Sequence, residues 1–127
     1  MQTILLIEDN SDILENLAEF LQMEGYKTLE AYNGKDGIAL AKKFIPDLII
    51  CDFFMPGMNG HEVLCSLLNT LKEFNIPFIF STSMSEISDK AKTLKLGASD
   101  YIVKPYEMEL LLKVVNYWIN CDTAVSA

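Results

Sequence analysis

Short apolar runs recur along this chain at 4–7, 48–51, 78–80 and 101–103, with a weaker one at 28–31, and stretches of helical periodicity separate them. Runs of this length, rich in Ile, Leu, Phe and Val, read as strands buried on both faces. Between the first two, Ile13, Leu14, Leu17, Phe20 and Leu21 fall on one helical face, and Gly25 supplies a stop. Val63, Leu64, Leu67, Leu68 and Leu71 repeat the spacing, as do Met108, Leu111, Leu112, Val115, Trp118 and Ile119. A shorter helix is expected over about 35–43, and one with the poorest apolar stripe, hence the most mobile, over about 88–96. Strands alternating with helices imply right-handed crossovers and a parallel sheet covered on both faces, an α/β (βα)5 three-layer sandwich.

The 127 residues suit one domain, and folding a chain of this size buries roughly two-thirds of its extended surface. The expected domain is 1–120, with 121–127 as a frayed tail. A net charge of -8 and a pI near 4.5 would repel phosphate backbones and anionic lipid, which disfavours direct nucleic-acid or membrane binding. No apolar run approaches the roughly 20 residues that span a bilayer, and the N-terminus lacks the marks of a secretory signal, so a cytoplasmic location is expected. Cys51, Cys65 and Cys121 are odd in number and lack CxxC spacing, so neither a disulfide framework nor a zinc site is indicated. Cys51 and Cys65 read as small core residues.

In an open α/β sheet, ligands sit outside the carboxyl ends of the strands. The first run leads into Glu8 and Asp9, the third into Asp52, the fourth into Ser81, Thr82 and Ser83, and the fifth into Lys104 and Pro105. Taken alone, Asp9 reads first as a helix N-cap. Taken together, three carboxylates within about 4 Å would repel by roughly 4 kcal/mol per pair at an effective dielectric of 20. A cation must offset this, or a proton must be retained. An oxygen-rich acidic site suits Mg²⁺, and a lysine and a hydroxyl beside it suit a phosphoryl group that a carboxylate could accept.

The motifs LLIEDN at 5–10, CDFFMPGMNG at 51–60, FSTS at 80–83 and GASDYIVKPY at 97–106 resemble the receiver domains of two-component response regulators, including the single receivers of chemotaxis. The resemblance covers roughly 3–120 and implies the flavodoxin-like strand order 2-1-3-4-5. It further implies that Asp52 is the phosphoacceptor, and that Glu8, Asp9, Asp52 and the Phe54 backbone carbonyl bind Mg²⁺ or Mn²⁺. Lys104 would pair with the phosphoryl oxygens, Thr82 would be the switch hydroxyl, Tyr101 the aromatic that follows it, and the Lys104–Pro105 bond would be cis. Composition alone leaves Ser81 or Ser83 open for the role of Thr82. The implied partners are a sensor histidine kinase or phosphotransfer protein and a downstream protein target; whether the chain dimerises is open.

Two features depart from the usual pattern. Glu8 stands where many members carry Asp, and the positions flanking the pocket are the apolar Phe54 and Met84, which cannot orient an attacking water. Slow loss of phosphate is therefore expected. His61 has no Ser, Cys or metal-ligand partner at recognisable spacing and reads as a surface residue. An aspartate-nucleophile phosphatase of the haloacid-dehalogenase type would need a second Asp two residues after the first, where Phe54 stands. A flavodoxin would need a Ser/Thr/Gly-rich phosphate loop after strand one, which is missing. A phosphorylation-independent binding module, or the receiver of a larger regulator or hybrid kinase, are the alternatives kept.

Overall fold

The computed structural model describes residues 1–83 and 95–120. Five parallel strands, β1 (Thr3–Ile7), β2 (Lys27–Ala31), β3 (Leu48–Asp52), β4 (Phe78–Ser83) and β5 (Asp100–Lys104), form one sheet in the order β2-β1-β3-β4-β5. Four helices are described: α1 (Ser11–Met23), α2 (Gly34–Phe44), α3 (Gly60–Phe74) and α4 (Met108–Ile119). The helix expected over 88–96 falls at 88–94 outside the described residues, as do Met84, Cys121 and the rest of the tail. Among the described residues no helix is long and apolar enough to cross a membrane.

Strand periodicity explains the three layers. Successive strand residues face opposite sides, so Leu5, Ile7, Ile49, Cys51, Phe78 and Phe80 enter one core with Ala41 of α2 and Val63, Leu64, Leu67 and Leu71 of α3. Their neighbours Ile4, Leu6, Leu48, Ile50, Ile79 and Ile102 enter the other, with Leu14, Leu17, Ala18 and Leu21 of α1 and Leu111 and Val115 of α4. Because β1, β3 and β4 contribute to both cores, their sequences are apolar throughout rather than alternating.

Local chemistry sets the helix ends. The side chains of Asn10, Asn33 and Asn59 each accept a backbone N–H in the first turn of α1, α2 and α3. Asn59 and Glu62 complete a reciprocal capping box, which satisfies two otherwise unpaired donors. The anticipated stop after α1 is present, with Gly25 at φ +96°.

One helix position differs from the sequence reading. Cys65 is exposed, whereas Cys51 is buried. Val63, Leu64 and Leu67 already fill the inward stripe of α3, and the rotation of about 100° per residue carries position 65 to the outer face.

Candidate functional site

The carboxyl edge of the sheet gathers the charged residues. Glu8 follows β1 directly and is 3% exposed; its backbone N–H donates to Ala31 O at 3.0 Å, extending the pairing with β2 by one step. That bond fixes the side chain at the sheet edge, where Oε2 accepts from the Asn10 backbone N–H at 3.1 Å. Oε1 lies 2.5 Å from Lys104 Nζ and, apart from this ion pair, takes no hydrogen bond. Asp9 is exposed and is not the helix cap, since Asn10 has that role. The carboxylate of Asp9 is thus left for the site.

Asp52 closes β3 and is 5% exposed, with Oδ2 3.3 Å from the same Lys104 Nζ. One oxygen from each of Glu8, Asp9 and Asp52 lies within 4.8 Å of the other two. Three carboxylates against one ammonium leave an excess of negative charge in a largely buried place. The consequence shows in the acid–base properties of Asp52, whose carboxyl is pushed up to about 7. Burial is the main cause, the Glu8 charge and a hydrogen bond with Asp9 add to it, and Lys104 opposes it. At Lys104, burial works against the charged form, but its hydrogen bond to Glu8 and the Asp52 and Glu8 charges outweigh that and hold the ammonium above the usual lysine range.

Strand register places the hydroxyl residues. Ser81 is the cross-strand partner of Asp52, so Thr82 lies one residue further along β4, paired with Val103 and buried. Ser83 pairs with Lys104. Tyr101 pairs with Phe80, which places it two strands out from Asp52, and packs against the α2/α3 core. The Lys104–Pro105 peptide bond is cis. Phe54 is 52% exposed, its ring 4.9 Å from that of Phe53.

Three features escaped the sequence reading. A Cβ on Gly60 would stand 2.6 Å from Asp52 O and 2.9 Å from Phe53 Cα, so only glycine lets the start of α3 press against the end of β3. Tyr106 sits half-buried with its hydroxyl hydrogen-bonded to Ser81 Oγ, and burial pushes its phenol up to about 12. Extending the strand alternation one step would have found this pair, because Ser81 shares a face with Ile79 and a buried hydroxyl needs a partner. His61, thought to lack a partner, has Cys65 Sγ 3.4 Å from its Nε2. The spacing of four residues on a helix was the available signal.

The family model for the response regulator receiver domain matches residues 4–116. The chain belongs to this family. The receiver is 36% identical over 116 residues to protein PilH of Pseudomonas aeruginosa, an alignment covering 91% of this chain and 96% of PilH. It is 38% identical over 117 residues to the phosphate regulon transcriptional regulatory protein PhoB of the same organism, covering 90% of the chain but 51% of PhoB. The receiver therefore spans nearly all of the first protein and about half of the second. Among solved structures, chemotaxis protein CheY4 of Vibrio cholerae superposes with a TM-score of 0.81 at 30% identity, covering 91% of this chain and 97% of that one. A response regulator receiver domain protein from Clostridium thermocellum gives 0.89 at 25% identity, covering 98% and 99%.

Proposed function

We propose that this receiver is the phosphoacceptor of a two-component phosphorelay, taking a phosphoryl group onto Asp52 from a phosphohistidine on a sensor kinase or phosphotransfer protein. The observation that carries the reading is the convergence of Glu8, Asp9, Asp52 and Lys104 at one sheet edge, with Asp52 buried yet reached by an ammonium at 3.3 Å. The donor set fits a hard divalent cation, because three carboxylate oxygens share one neighbouring positive charge. Glu8, Asp9, Asp52 and the Phe54 carbonyl would hold Mg²⁺ or Mn²⁺. When bound, the ion supplies charge neutralisation to the transferring phosphoryl oxygens.

The chain's own residues do the rest. An Asp52 carboxylate oxygen attacks phosphorus, the P–N bond to the donor imidazole breaks, and the imidazole leaves with the electron pair. Lys104 neutralises charge that builds on the phosphoryl oxygens, an interaction that strengthens toward the transition state. The Thr82 hydroxyl then turns toward the phosphate, and Tyr101 moves into the space it vacates, which biases a partner-binding surface. The domain extends over 1–120 and works in the cytoplasm. It is a signalling component that catalyses its own phosphorylation and dephosphorylation, rather than an enzyme acting on a separate substrate.

Incubation with a small phosphodonor and Mg²⁺, followed by intact-mass measurement, tests the assignment. One phosphate adduct is expected on the wild type and none on Asp52→Asn. No adduct on the wild type, or an equal adduct on the variant, overturns it.

A further inference from the structure

One more polar residue shares the sheet face that carries the carboxylates. Ile50, Ile79 and Ile102 all enter the α1/α4 core, so Asp52, Ser81 and Lys104, each two positions further on, face the same side of the sheet. Ser81 is the register partner of Asp52, and its carbonyl accepts from the Phe53 backbone N–H at 2.9 Å, so the Asp52 and Ser81 side chains stand abreast on β3 and β4. Neighbouring strands are about 4.8 Å apart, which puts a serine hydroxyl within reach of a carboxylate one strand over. Ser81 is 1% exposed, so water does not serve its hydroxyl. A buried hydroxyl takes a protein partner, and the adjacent carboxylate is a strong one. Tyr106 takes the hydroxyl instead, through its own. Because Tyr106 follows β5, on the opposite side of β4 from Asp52, this bond draws Ser81 Oγ toward the rim of the sheet. The Tyr106 ring packs against the α1/α4 core, which fixes where its hydroxyl stands.

We propose that Tyr106 is a positioning residue for phosphoryl transfer, holding the Ser81 hydroxyl off Asp52 so that the carboxylate keeps an oxygen open for phosphorus; the inference rests on the Asp52 reading above. Without the phenol hydroxyl, rotation about one side-chain bond brings Ser81 Oγ to the Asp52 carboxylate. A hydroxyl that donates there draws electron density from the nucleophile and occupies a lone pair that attack requires. That hydrogen bond must break before transfer, and the reaction slows. The restraint works in one direction. The phenol oxygen sits at the end of a rigid ring, so loss of Ser81 leaves Tyr106 in place and no hydroxyl beside Asp52. For the fold the two deletions are alike, since each strands one buried hydroxyl. For the reaction they are opposites.

Tyr106→Phe, Ser81→Ala and the double variant are compared with the wild type in two measurements. One is the time course of the phosphate adduct with acetyl phosphate and Mg²⁺; the other is urea denaturation in a chelator. Tyr106→Phe should be phosphorylated about tenfold more slowly, the size expected when a hydrogen bond to a charged group must first be broken. Ser81→Ala should react at the wild-type rate, and adding it to Tyr106→Phe should restore the rate. Stability should follow another order: both single variants fall below the wild type, and the double variant recovers because neither hydroxyl is left unpaired. A purely structural pair would change stability alone, or rate and stability together. Each substitution removes a single oxygen, and circular dichroism under the assay conditions confirms folding; Tyr106→Leu, with and without Ser81→Ala, repeats the comparison on a second side chain. An unchanged rate in Tyr106→Phe, an equal slowing in Ser81→Ala, or a double variant that stays slow would overturn the proposal alone. No adduct on any chain, the wild type included, overturns the Asp52 reading and this one with it.

Discussion

Lys104 holds two carboxylates with one ammonium, at 2.5 Å from Glu8 and 3.3 Å from Asp52. Its replacement by alanine removes both the counter-charge in the resting site and the cation that would meet the phosphoryl oxygens. Loss of one preorganised electrostatic contact of this kind lowers a reaction rate roughly 100-fold. Lys104→Ala should therefore be phosphorylated by a small donor about 100-fold more slowly than the wild type, measured by the time course of the phosphate adduct; an unchanged rate would remove Lys104 from the mechanism.

The raised carboxyl of Asp52 makes a second prediction, about pH. Folded, it titrates at about 7 against an ordinary value of 3.8, so between these the native state holds more proton than the unfolded chain. The contribution to stability is full below about pH 4 and is lost as pH rises through 7. In a chelator, Asp52→Asn should gain stability relative to wild type at pH 8 and show no such gain at pH 4, by urea denaturation at both. Added Mg²⁺ should narrow the difference at pH 8 by stabilising the wild type. A variant less stable than wild type at pH 8 without metal would contradict the charge-repulsion account.

Among the elements, α3 bears most directly on the site because its first residue lies against the end of β3. Gly60→Ala would drive a Cβ to 2.6 Å from Asp52 O, backbone that cannot swing aside as a side-chain tip could. Overpacking of this kind costs about 1–3 kcal/mol. Asn59→Ala removes only the capping box and should cost about 1 kcal/mol. Denaturant titrations should rank Gly60→Ala as the more damaging, and its phosphorylation should slow as well because the strain falls on Asp52. Equal stability losses and an unaffected rate would detach α3 from the site.

The same helix marks where sequence reasoning reached its limit. The strands were legible because a segment buried on both faces has almost no polar positions, and the five runs sit within the observed strands. Cys65 was misplaced because cysteine is apolar enough to suit a core, and composition cannot give the rotation of one residue about the helix axis. Asp9 and Asn10 are adjacent and both are good caps, so the sequence could not say which one caps α1 and which reaches the site. The set Glu8, Asp52 and Lys104 was found because each immediately follows or ends an apolar run. Tyr106 was missed because its partner, Ser81, belongs to a loop-like cluster of hydroxyl residues that proved to be strand.

For the whole molecule, one sheet serves two cores, and this ties the stability of each layer to the other. Phe80→Ala, in the α2/α3 core, and Ile79→Ala, in the α1/α4 core, should each lose about 2–5 kcal/mol. Because the two residues are consecutive in β4, both variants should unfold in a single transition seen alike by the Trp118 fluorescence and by far-ultraviolet circular dichroism. Separate transitions for the two probes would mean that the layers melt independently.

The strand order gives the reach of Lys104 a further meaning. It belongs to the edge strand, and its ammonium passes over β4 to Asp52 on β3 and to Glu8 beyond β1. One flexible side chain thus ties the rim of the sheet to its middle, with positive charge at one end and carboxylates at the other. Any event that alters the charge in the middle changes the tension on that tether, and the rim, with fewer neighbours to hold it, is where the slack is taken up.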